Sequence, residues 1–189
     1  MVEIRHLTTA ELDAGLDAIR LSPKDGGPLE MILRRPRTEE REVLEQGELD
    51  LAEGVVGDNW RARGSSGSAD GSAHPDMQLN IMNARVIALV AQEKDRWSLA
   101  GDQLFIDIDL SEDNLPPGSR LAIGSAVIEI TEQPHTGCKK FVERFGMAAM
   151  EWVNSTVGRQ LHLRGVNAKV VGPGVIRAGD VAKKIQAAT

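Results

Sequence analysis

The stretch RLAIGSAVIEITEQPHTGCKKFVERFG, residues 120–146, joins two short apolar segments to a loop and a short amphipathic segment. Residues 120–123 and 126–131 are separated only by Gly-Ser, which has the length and composition of a tight β-hairpin turn. The second strand leads directly to Pro134 and then to Cys138. Because loops at the ends of rigid strands often carry reactive groups, this stretch predicts a β-sheet with a functional site at one end.

Cys138 is the only cysteine among the 189 residues. Thr136 is predicted to cap a short helix whose apolar residues Phe141 and Phe145 share one face and whose end is marked by Gly146. Cys138 would then lie in the first turn, where the helix dipole favours the thiolate, the form that attacks electrophiles and binds soft metals. The alternative is that a lone cysteine is a small buried hydrophobic residue.

Several side chains near Cys138 in the sequence carry, or can acquire, a positive charge: His135, Lys139, Lys140 and Arg144. Such neighbours stabilise a thiolate and can also hold an anionic ligand. Solvated lysines and a surface ion pair of Arg144 with a nearby glutamate are the simpler interpretations of the same residues. The pattern therefore indicates a reactive thiol and leaves the individual roles of the cations open.

The composition is that of a folded protein of one domain, with 41% hydrophobic and 26% charged residues in 189 positions. Aromatic residues make up only 3%, so side chains on which nucleobases could stack are scarce. The net charge is −6, which argues against binding to nucleic acid through the overall field of the protein. An anionic ligand would need a local cluster of cations.

A single cysteine excludes an internal disulfide and a zinc site built from cysteines. A reducing, cytoplasmic location is therefore expected. The first residues, MVEIRH, lack the features of a signal peptide, and no apolar run approaches the ~20 residues that span a bilayer. We expect no interaction with membranes.

Most of the chain consists of short apolar or alternating segments between turn residues. We predict three helices: residues 8–22 with a capping box at Thr8, residues 84–92 with Asn83 as N-cap, and residues 147–157 with Met147 in the core and Gly158 as the stop. Residues 104–110 alternate apolar and polar side chains, the pattern of a half-buried strand. Short strands with tight turns favour a mainly β fold with inserted helices, closed or nearly closed into a barrel because closure removes exposed strand edges.

A second region that could bind an anion is the Gly/Ser-rich segment at residues 57–75, in which Arg61 and Arg63 stand next to glycines. Backbone N–H groups and arginines together can hold an oxyanion. Arg85, at the predicted start of a helix, is a weaker candidate for the same role. A plain solvated loop is an equally good interpretation of this segment.

The segment PHTGCKKF at residues 134–141, followed by RFG at 144–146, resembles the cysteine segment of the MOSC domain, the module at the C-terminus of molybdenum cofactor sulfurases. Residues 118–131 are similar to the strand pair before that cysteine, and residues 164–181 are similar to the closing strands. GVVGD, at residues 54–58, resembles the entry to the N-terminal half of the domain.

This resemblance implies a β-barrel similar to the small β-barrel domain of pyruvate kinase, spanning residues 54–189, with residues 1–53 as a helix-and-strand elaboration packed on it. It also implies binding of the molybdenum cofactor, with Cys138 as the molybdenum ligand and catalytic residue. The residues expected to bind the cofactor are His135, Thr136, Lys139, Lys140, Arg144, Arg164, Arg61, Arg63 and Arg85. The family's early His/Gly-rich loop is replaced by Ser, Gly and Asp at residues 64–75, with His74 remaining.

Three functions are compatible with the resemblance. The first is reduction of N-hydroxylated compounds with an electron-transfer protein as partner. The second is sulfur transfer, in which Cys138 carries a persulfide received from a separate cysteine desulfurase, since the chain is too short to include the pyridoxal-phosphate domain of the full sulfurases. The third is a non-catalytic binding module in which Cys138 is buried and inert.

Overall fold

The computed structural model describes residues 5–65 and 68–186. In this part of the chain the strands are β1 (Gly27–Arg34), β2 (Glu42–Leu44), β3 (Gln46–Asp50), β4 (Gly54–Val55), β5 (Leu79–Asn83), β6 (Leu104–Ile106), β7 (Arg120–Ile123), β8 (Ala126–Ile130), β9 (Val166–Gly172), β10 (Gly174–Arg177) and β11 (Val181–Ile185). The helices are α1 (Thr9–Ala14), α2 (Leu16–Arg20), α3 (Trp60–Arg63), α4 (Ala84–Ala91), α5 (Lys139–Phe145), α6 (Met147–Asn154) and α7 (Thr156–Gln160). Pro75–Met77 and Lys94–Ala100 form 3-10 helices.

Seven strands close into a barrel in the order β1, β11, β7, β8, β9, β5, β6 and back to β1. All neighbouring pairs are antiparallel except β5 and β6. β2 pairs with β1 outside the ring, and β10, β3 and β4 form a separate three-stranded sheet. The predicted mainly β, closed-barrel fold is confirmed. β1 lies within the first 53 residues, so that segment contributes a barrel strand as well as two helices.

Side chains on the two faces of the barrel strands enter two different cores. Leu29, Ile81 and Ile128 belong to the buried cluster inside the barrel. Met82 and Phe105, from β5 and β6, belong to a second buried cluster formed with the helices. Because successive side chains of a strand point to opposite faces, strands that are covered by helices on the outside are buried on both sides.

The predicted half-buried strand over residues 104–110 is wrong in its length and in its exposure. The strand ends at Ile106, and all three of its residues are buried because Phe105 packs against Trp97 on the outer face, with ring centroids 5.9 Å apart. Beyond it, Asp107 binds Arg85 rather than forming part of a solvated strand face.

Two of the three predicted helices are interrupted. Residues 8–22 contain α1 and α2, which meet at Gly15, and the capping box predicted at Thr8 is present. Residues 147–157 contain α6 and the start of α7. Met147, predicted to be in the core, is 54% exposed, whereas Trp152 is buried. Gly158 lies inside α7, so the predicted helix end there is wrong.

The predicted hairpin before the cysteine is confirmed, with β7 and β8 paired from Arg120 with Glu129 to Ile123 with Ala126. Gly124 at its turn has φ +56°, and a Cβ atom there would lie 2.3 Å from the Val175 carbonyl oxygen. The turn therefore requires glycine for both its backbone conformation and its close approach to β10.

None of the helices in residues 5–65 and 68–186 is long and apolar enough to cross a membrane.

The predicted cap at Asn83 is also confirmed, and it offers a test of the junction between barrel and helices. The Asn83 side-chain oxygen accepts hydrogen bonds from the N–H groups of Arg85 and Val86, while its amide donates to Ser22 and to the Ile108 carbonyl. Asn83→Ala should lower the free energy of unfolding by about 2 to 3 kcal/mol, because it removes a cap and leaves buried groups unpaired.

The measurement is urea unfolding followed by circular dichroism, with Thr8→Ala as a control. Thr8 caps α1 at the exposed surface, so its loss should cost only about 1 kcal/mol. If the two variants lost the same free energy of unfolding, Asn83 would have no structural role beyond capping.

Candidate functional site

Cys138 lies at the end of the segment that follows β8, immediately before α5, and its side chain is exposed. It occupies the cap position of α5 with an extended backbone, and its carbonyl oxygen accepts hydrogen bonds from Phe141 and Val142. The prediction that Thr136 caps this helix is wrong. The physical reason is that both backbone polar groups of Gly137 bond to the side chain of Asn154, which keeps the chain extended up to Cys138.

The buried face predicted for α5 is present. Phe141 and Phe145 are both buried, with ring centroids 4.9 Å apart, and Gly146 ends the helix with φ +90°. The guanidinium carbon of Arg164 lies 5.0 Å from the centroid of the Phe141 ring. This geometry is typical of a cation–π contact, and it links the helix after Cys138 to the start of β9.

Arg164 forms a buried ion pair with Asp102. One terminal nitrogen, Nη1, lies 2.9 and 2.8 Å from the two carboxylate oxygens, and Nη2 donates to the Ala100 carbonyl at 3.2 Å. Both side chains are at least nine-tenths buried. Burial raises the pKa of the Asp102 carboxyl, and the Arg164 guanidinium opposes that effect.

His135 stands beside this pair. Its Nε2 lies 3.1 Å from Asp102 Oδ1 without an aligned hydrogen bond, and its Nδ1 lies 3.4 Å from the Asn80 amide nitrogen. Burial, reinforced by the positive charges of Arg164 and Arg35, holds the pKa of His135 well below its usual value. The imidazole is therefore neutral at physiological pH.

A second buried ion pair fixes the chain after β1. The Arg35 guanidinium binds both carboxylate oxygens of Asp58 at 2.9 and 3.0 Å and donates to the Gly101 carbonyl at 2.9 Å. Arg35 also donates its backbone N–H to the same carboxylate. Asp58 is completely buried, so this pair anchors the start of the β1–β2 connection, residues 35–41.

Cys138 opens into a small cavity of about 180 Å³, which we call the basic pocket. The cations that line it among the described residues are Arg35, Arg37, Arg41, Arg63, Lys140, Arg144 and Arg164. Glu39 and Glu40 are the carboxylates in its wall, and Asp58 and Asp102 lie behind it on Arg35 and Arg164. Seven cations against four carboxylates leave an excess of positive charge beside the thiol.

Three polar atoms of the pocket wall are buried without a hydrogen-bond partner: Arg41 Nε, Asn59 Oδ1 and Arg164 Nε. An unpaired buried donor is costly, and such groups often await a ligand or a water molecule. Two of these atoms, Arg41 Nε and Arg164 Nε, are donors, and together with the excess positive charge they suit the pocket to an anion that accepts hydrogen bonds.

A larger cavity of about 520 Å³, the adjoining cavity, shares Arg164 with the basic pocket. His135 and Thr136 line it, together with His162 and apolar side chains such as Val153. Its volume is within the range of small-molecule sites. The segment between β8 and α5 thus has one cavity on the side of Cys138 and another on the side of His135.

The structure separates the residues that sequence reasoning nominated. Lys140, Arg144, Arg164 and Arg63 line the basic pocket with Cys138. His135 and Thr136 line the adjoining cavity, and Lys139 is exposed next to Cys138. Arg61 is exposed outside the lining of both cavities, and Arg85 is bound by Asp107 at 2.7 Å and by the Ala18 carbonyl.

Sequence reasoning missed the contribution of the β1–β2 connection. Arg35, Arg37 and Arg41 come within seven residues of each other, a basic cluster that is visible in the sequence. It carried no apolar periodicity or motif that connected it with Cys138, about 100 residues later. Asp102 was missed because nothing in its local sequence indicates burial.

The neutral state of His135 leads to a prediction about stability and pH. In the unfolded chain His135 titrates near pH 6.5, whereas the folded protein holds its pKa lower. The unfolded state therefore binds more protons below pH 6.5, and the free energy of unfolding should fall as the pH decreases from 6.5 to 5.5. A single such group contributes up to about 1.4 kcal/mol per pH unit.

The measurement is the free energy of unfolding across this pH range for the wild type and for His135→Gln, which keeps an acceptor for Asn80. The variant should show a smaller fall than the wild type. Equal slopes would mean that another group is responsible.

Comparisons with known proteins connect the fold and the site to a family. A comparison with curated proteins gave no match. Among solved structures, YuaD of Bacillus subtilis is 17% identical with a TM-score of 0.64, covering 84% of this chain and 94% of YuaD. YiiM of Escherichia coli is 18% identical with a TM-score of 0.54, covering 86% of this chain and 71% of YiiM. At these identities the likeness shows a shared fold.

The family model of the MOSC domain matches residues 68–183, which include β5 to β10, the segment around Cys138 and Arg164. The match covers more than half of the chain and agrees with the resemblance seen in the cysteine segment. The chain therefore belongs to the MOSC domain family.

Proposed function

We propose that this protein binds the molybdenum cofactor through Cys138 and reduces N-hydroxylated compounds with electrons from an electron-transfer protein. The observation that carries the proposal is the exposed thiol of Cys138 in a pocket lined by seven cations. It combines a soft metal ligand with a binding site for an anionic group, the two features that such a cofactor requires.

The residues present fit the group. A thiolate is a soft ligand suited to a metal that is also bound by sulfur. Lys140, Arg144 and Arg63 line the same pocket as Cys138, and the unpartnered Nε atoms of Arg41 and Arg164 are donors still to be satisfied. Arginine and lysine together are the usual ligands of a phosphate, so these side chains would hold the phosphate end of the cofactor.

When bound, the cofactor supplies a redox-active metal that passes two electrons to the substrate. The overall reaction is cleavage of the N–O bond, R–NHOH with two electrons and two protons giving R–NH2 and water. In this scheme Cys138 holds the metal, and the cations of the basic pocket orient the bound group. The adjoining cavity, which shares Arg164, is large enough to receive the organic substrate.

A second function, sulfur transfer, is supported by the exposure of Cys138. A partner protein such as a cysteine desulfurase can reach an exposed thiolate. Cys138 would attack the terminal sulfur of the partner's persulfide, so that the partner's sulfur–sulfur bond breaks, the partner leaves as a thiolate and a persulfide forms on Cys138. The third hypothesis, a non-catalytic binding module, included a buried thiol, and the exposed side chain of Cys138 argues against that part of it.

The test of the reductase proposal is the metal content of protein produced in a host that makes the cofactor. We expect near-stoichiometric molybdenum and releasable pterin in the wild type, and at least a tenfold loss of molybdenum in Cys138→Ser because the thiolate ligand is gone. Arg20→Gln, in an exposed ion pair with Asp17, serves as a surface control and should retain the metal. Equal molybdenum in Cys138→Ser and wild type would refute the ligand role.

The test of sulfur transfer is mass spectrometry of the native protein after incubation with a cysteine desulfurase and cysteine. The carrier hypothesis predicts a mass increase of one sulfur atom, localised to the peptide that contains Cys138 and removed by a reductant. Because the chain has no other cysteine, Cys138→Ser is a complete negative control. An unmodified wild-type protein under these conditions would count against the carrier function.

A further inference from the structure

The β1–β2 connection, residues 35–41, forms one wall of the basic pocket and places a carboxylate inside it. It contributes Arg37, Glu39 and Arg41, among others, to the lining. Glu39 has φ +64°, in the left-handed region that residues other than glycine seldom occupy. Such conformations are found where the surrounding structure or a function demands them, so the position of Glu39 needs an explanation.

Glu39 bridges cations from two parts of the chain. One carboxylate oxygen lies 2.6 Å from Lys140 Nζ, and the other lies 2.9 Å from Arg144 Nη2 and 3.7 Å from Arg41 Nη1. The hydrogen bond from Lys140, with the charges of Lys140, Arg144 and Arg41, lowers the pKa of Glu39. An ionised carboxylate therefore binds two cations of α5, Lys140 and Arg144, that share the basic pocket with Cys138.

A bound oxyanion would accept hydrogen bonds from the same side chains that now bind the Glu39 carboxylate. Arginine and lysine recognise carboxylates and phosphates through equivalent charge-assisted hydrogen bonds. One carboxylate, 56% exposed, does not satisfy all the cations, since the buried Nε of Arg41 still lacks a partner. A phosphate has more acceptor oxygens and a higher charge than a carboxylate, so it can replace Glu39 with additional bonds.

The small volume of the pocket also indicates that the β1–β2 connection occupies space that a ligand would need. At about 180 Å³ it is smaller than the roughly 300 to 1,000 Å³ typical of ligand sites. The β1–β2 connection is fixed at its start by the buried Arg35–Asp58 pair, but Glu39 and Glu40 make only partly or largely exposed ion pairs. Exposed ion pairs are weak, so the middle of the connection can move away while its start stays in place.

We propose that Glu39 is an internal competitor for the oxyanion subsite formed by Arg41, Lys140 and Arg144, and that a ligand phosphate binds by displacing it. The β1–β2 connection then acts as an autoinhibitory latch that closes the basic pocket in the absence of ligand. The inference rests on the proposed function for the identity of the natural ligand, but the competition itself concerns any phosphate-like anion.

The chain provides a matched control in the neighbouring residue. Glu40 lies in the same connection and also lines the pocket, but its ion pair is with Arg37 at 3.4 Å, where both side chains are more than half exposed. Glu39→Gln and Glu40→Gln therefore remove the same charge from the same segment. They differ in whether the lost carboxylate bound Lys140 and Arg144.

The experiment is isothermal titration of the cofactor-free protein with inorganic phosphate at constant ionic strength and pH 7.5. Glu39→Gln should bind phosphate about tenfold more tightly than the wild type, a change of the size usual for coupled binding events. Glu40→Gln should stay within about twofold of the wild type, since general charge effects at the exposed rim are small. Phosphate should also raise the melting temperature of Glu39→Gln more than that of the wild type.

Equal affinities for Glu39→Gln and Glu40→Gln would overturn the proposal, whether both equal the wild type or both exceed it. Adding Arg144→Gln to Glu39→Gln should abolish the gain in phosphate affinity. If the double variant still bound phosphate more tightly than the wild type, the anion would bind elsewhere. Phosphate binding requires neither metal nor thiol, so the same gain should appear in the Cys138→Ser background. If Glu39→Gln gains phosphate affinity but the protein binds no molybdenum, the proposed function is refuted and the latch stands. If the protein binds molybdenum but Glu39→Gln gains no phosphate affinity, the latch is refuted and the proposed function stands.

Discussion

The buried ion pair of Arg164 with Asp102 determines how the functional end of the barrel is assembled. Asp102 comes just before β6 and Arg164 just before β9, so the pair joins the entries to the two strands that flank β5. Arg164 also lies against Phe141 of α5. Replacing such a pair by apolar residues is often neutral for stability, while removing one partner is costly. The main effect of the pair is therefore on geometry, because it fixes where the helix after Cys138 meets the barrel.

The cations of the basic pocket fall into two groups, according to whether the carboxylate that binds them is buried or exposed. Arg164 and Arg35 are nearly buried and each is held by a carboxylate that is completely buried. They shape the pocket and cannot leave their partners without a large cost. Lys140 and Arg144 share one exposed carboxylate, that of Glu39. Because the Glu39 carboxylate is more than half exposed, its ion pairs are weaker than the buried ones, so these cations can change partners.

The parts of the fold that sequence could predict are those specified by local signals. The β7–β8 hairpin follows from its two-residue turn, the start of α4 from Asn83, and the buried face of α5 from the spacing of Phe141 and Phe145. The strand at residues 104–106 was misjudged because alternation presupposes one solvated face, and α4 with the Lys94–Ala100 segment covers that face.

The site was predictable mainly in its central segment, although Arg63 and Arg164 were also nominated from other parts of the chain. Cys138, Lys140 and Arg144 lie within seven residues, so one local pattern nominates all three. Glu39 and Arg41 reach them across about 100 residues of chain, from a connection without periodicity. Such contacts depend on barrel closure, which brings β1 next to both β6 and β11. A sequence pattern indicates which face of a strand is buried, but not which distant loop closes over its end.

The positive charge around Cys138 was predicted from two sources, the dipole of a helix and nearby cationic side chains, and the structure supports the second. If Cys138 lay in the first turn of a helix, the aligned backbone dipoles would supply a partial positive charge beside the thiol, and this charge would be a fixed property of the main chain. Cys138 instead precedes α5, and the positive charge beside it comes from side chains on the β1–β2 connection, α3, α5 and the start of β9. Side-chain charges can be neutralised by other side chains, as Glu39 does. A site built in this way can therefore be switched by the movement of a single loop, which a helix dipole would not allow.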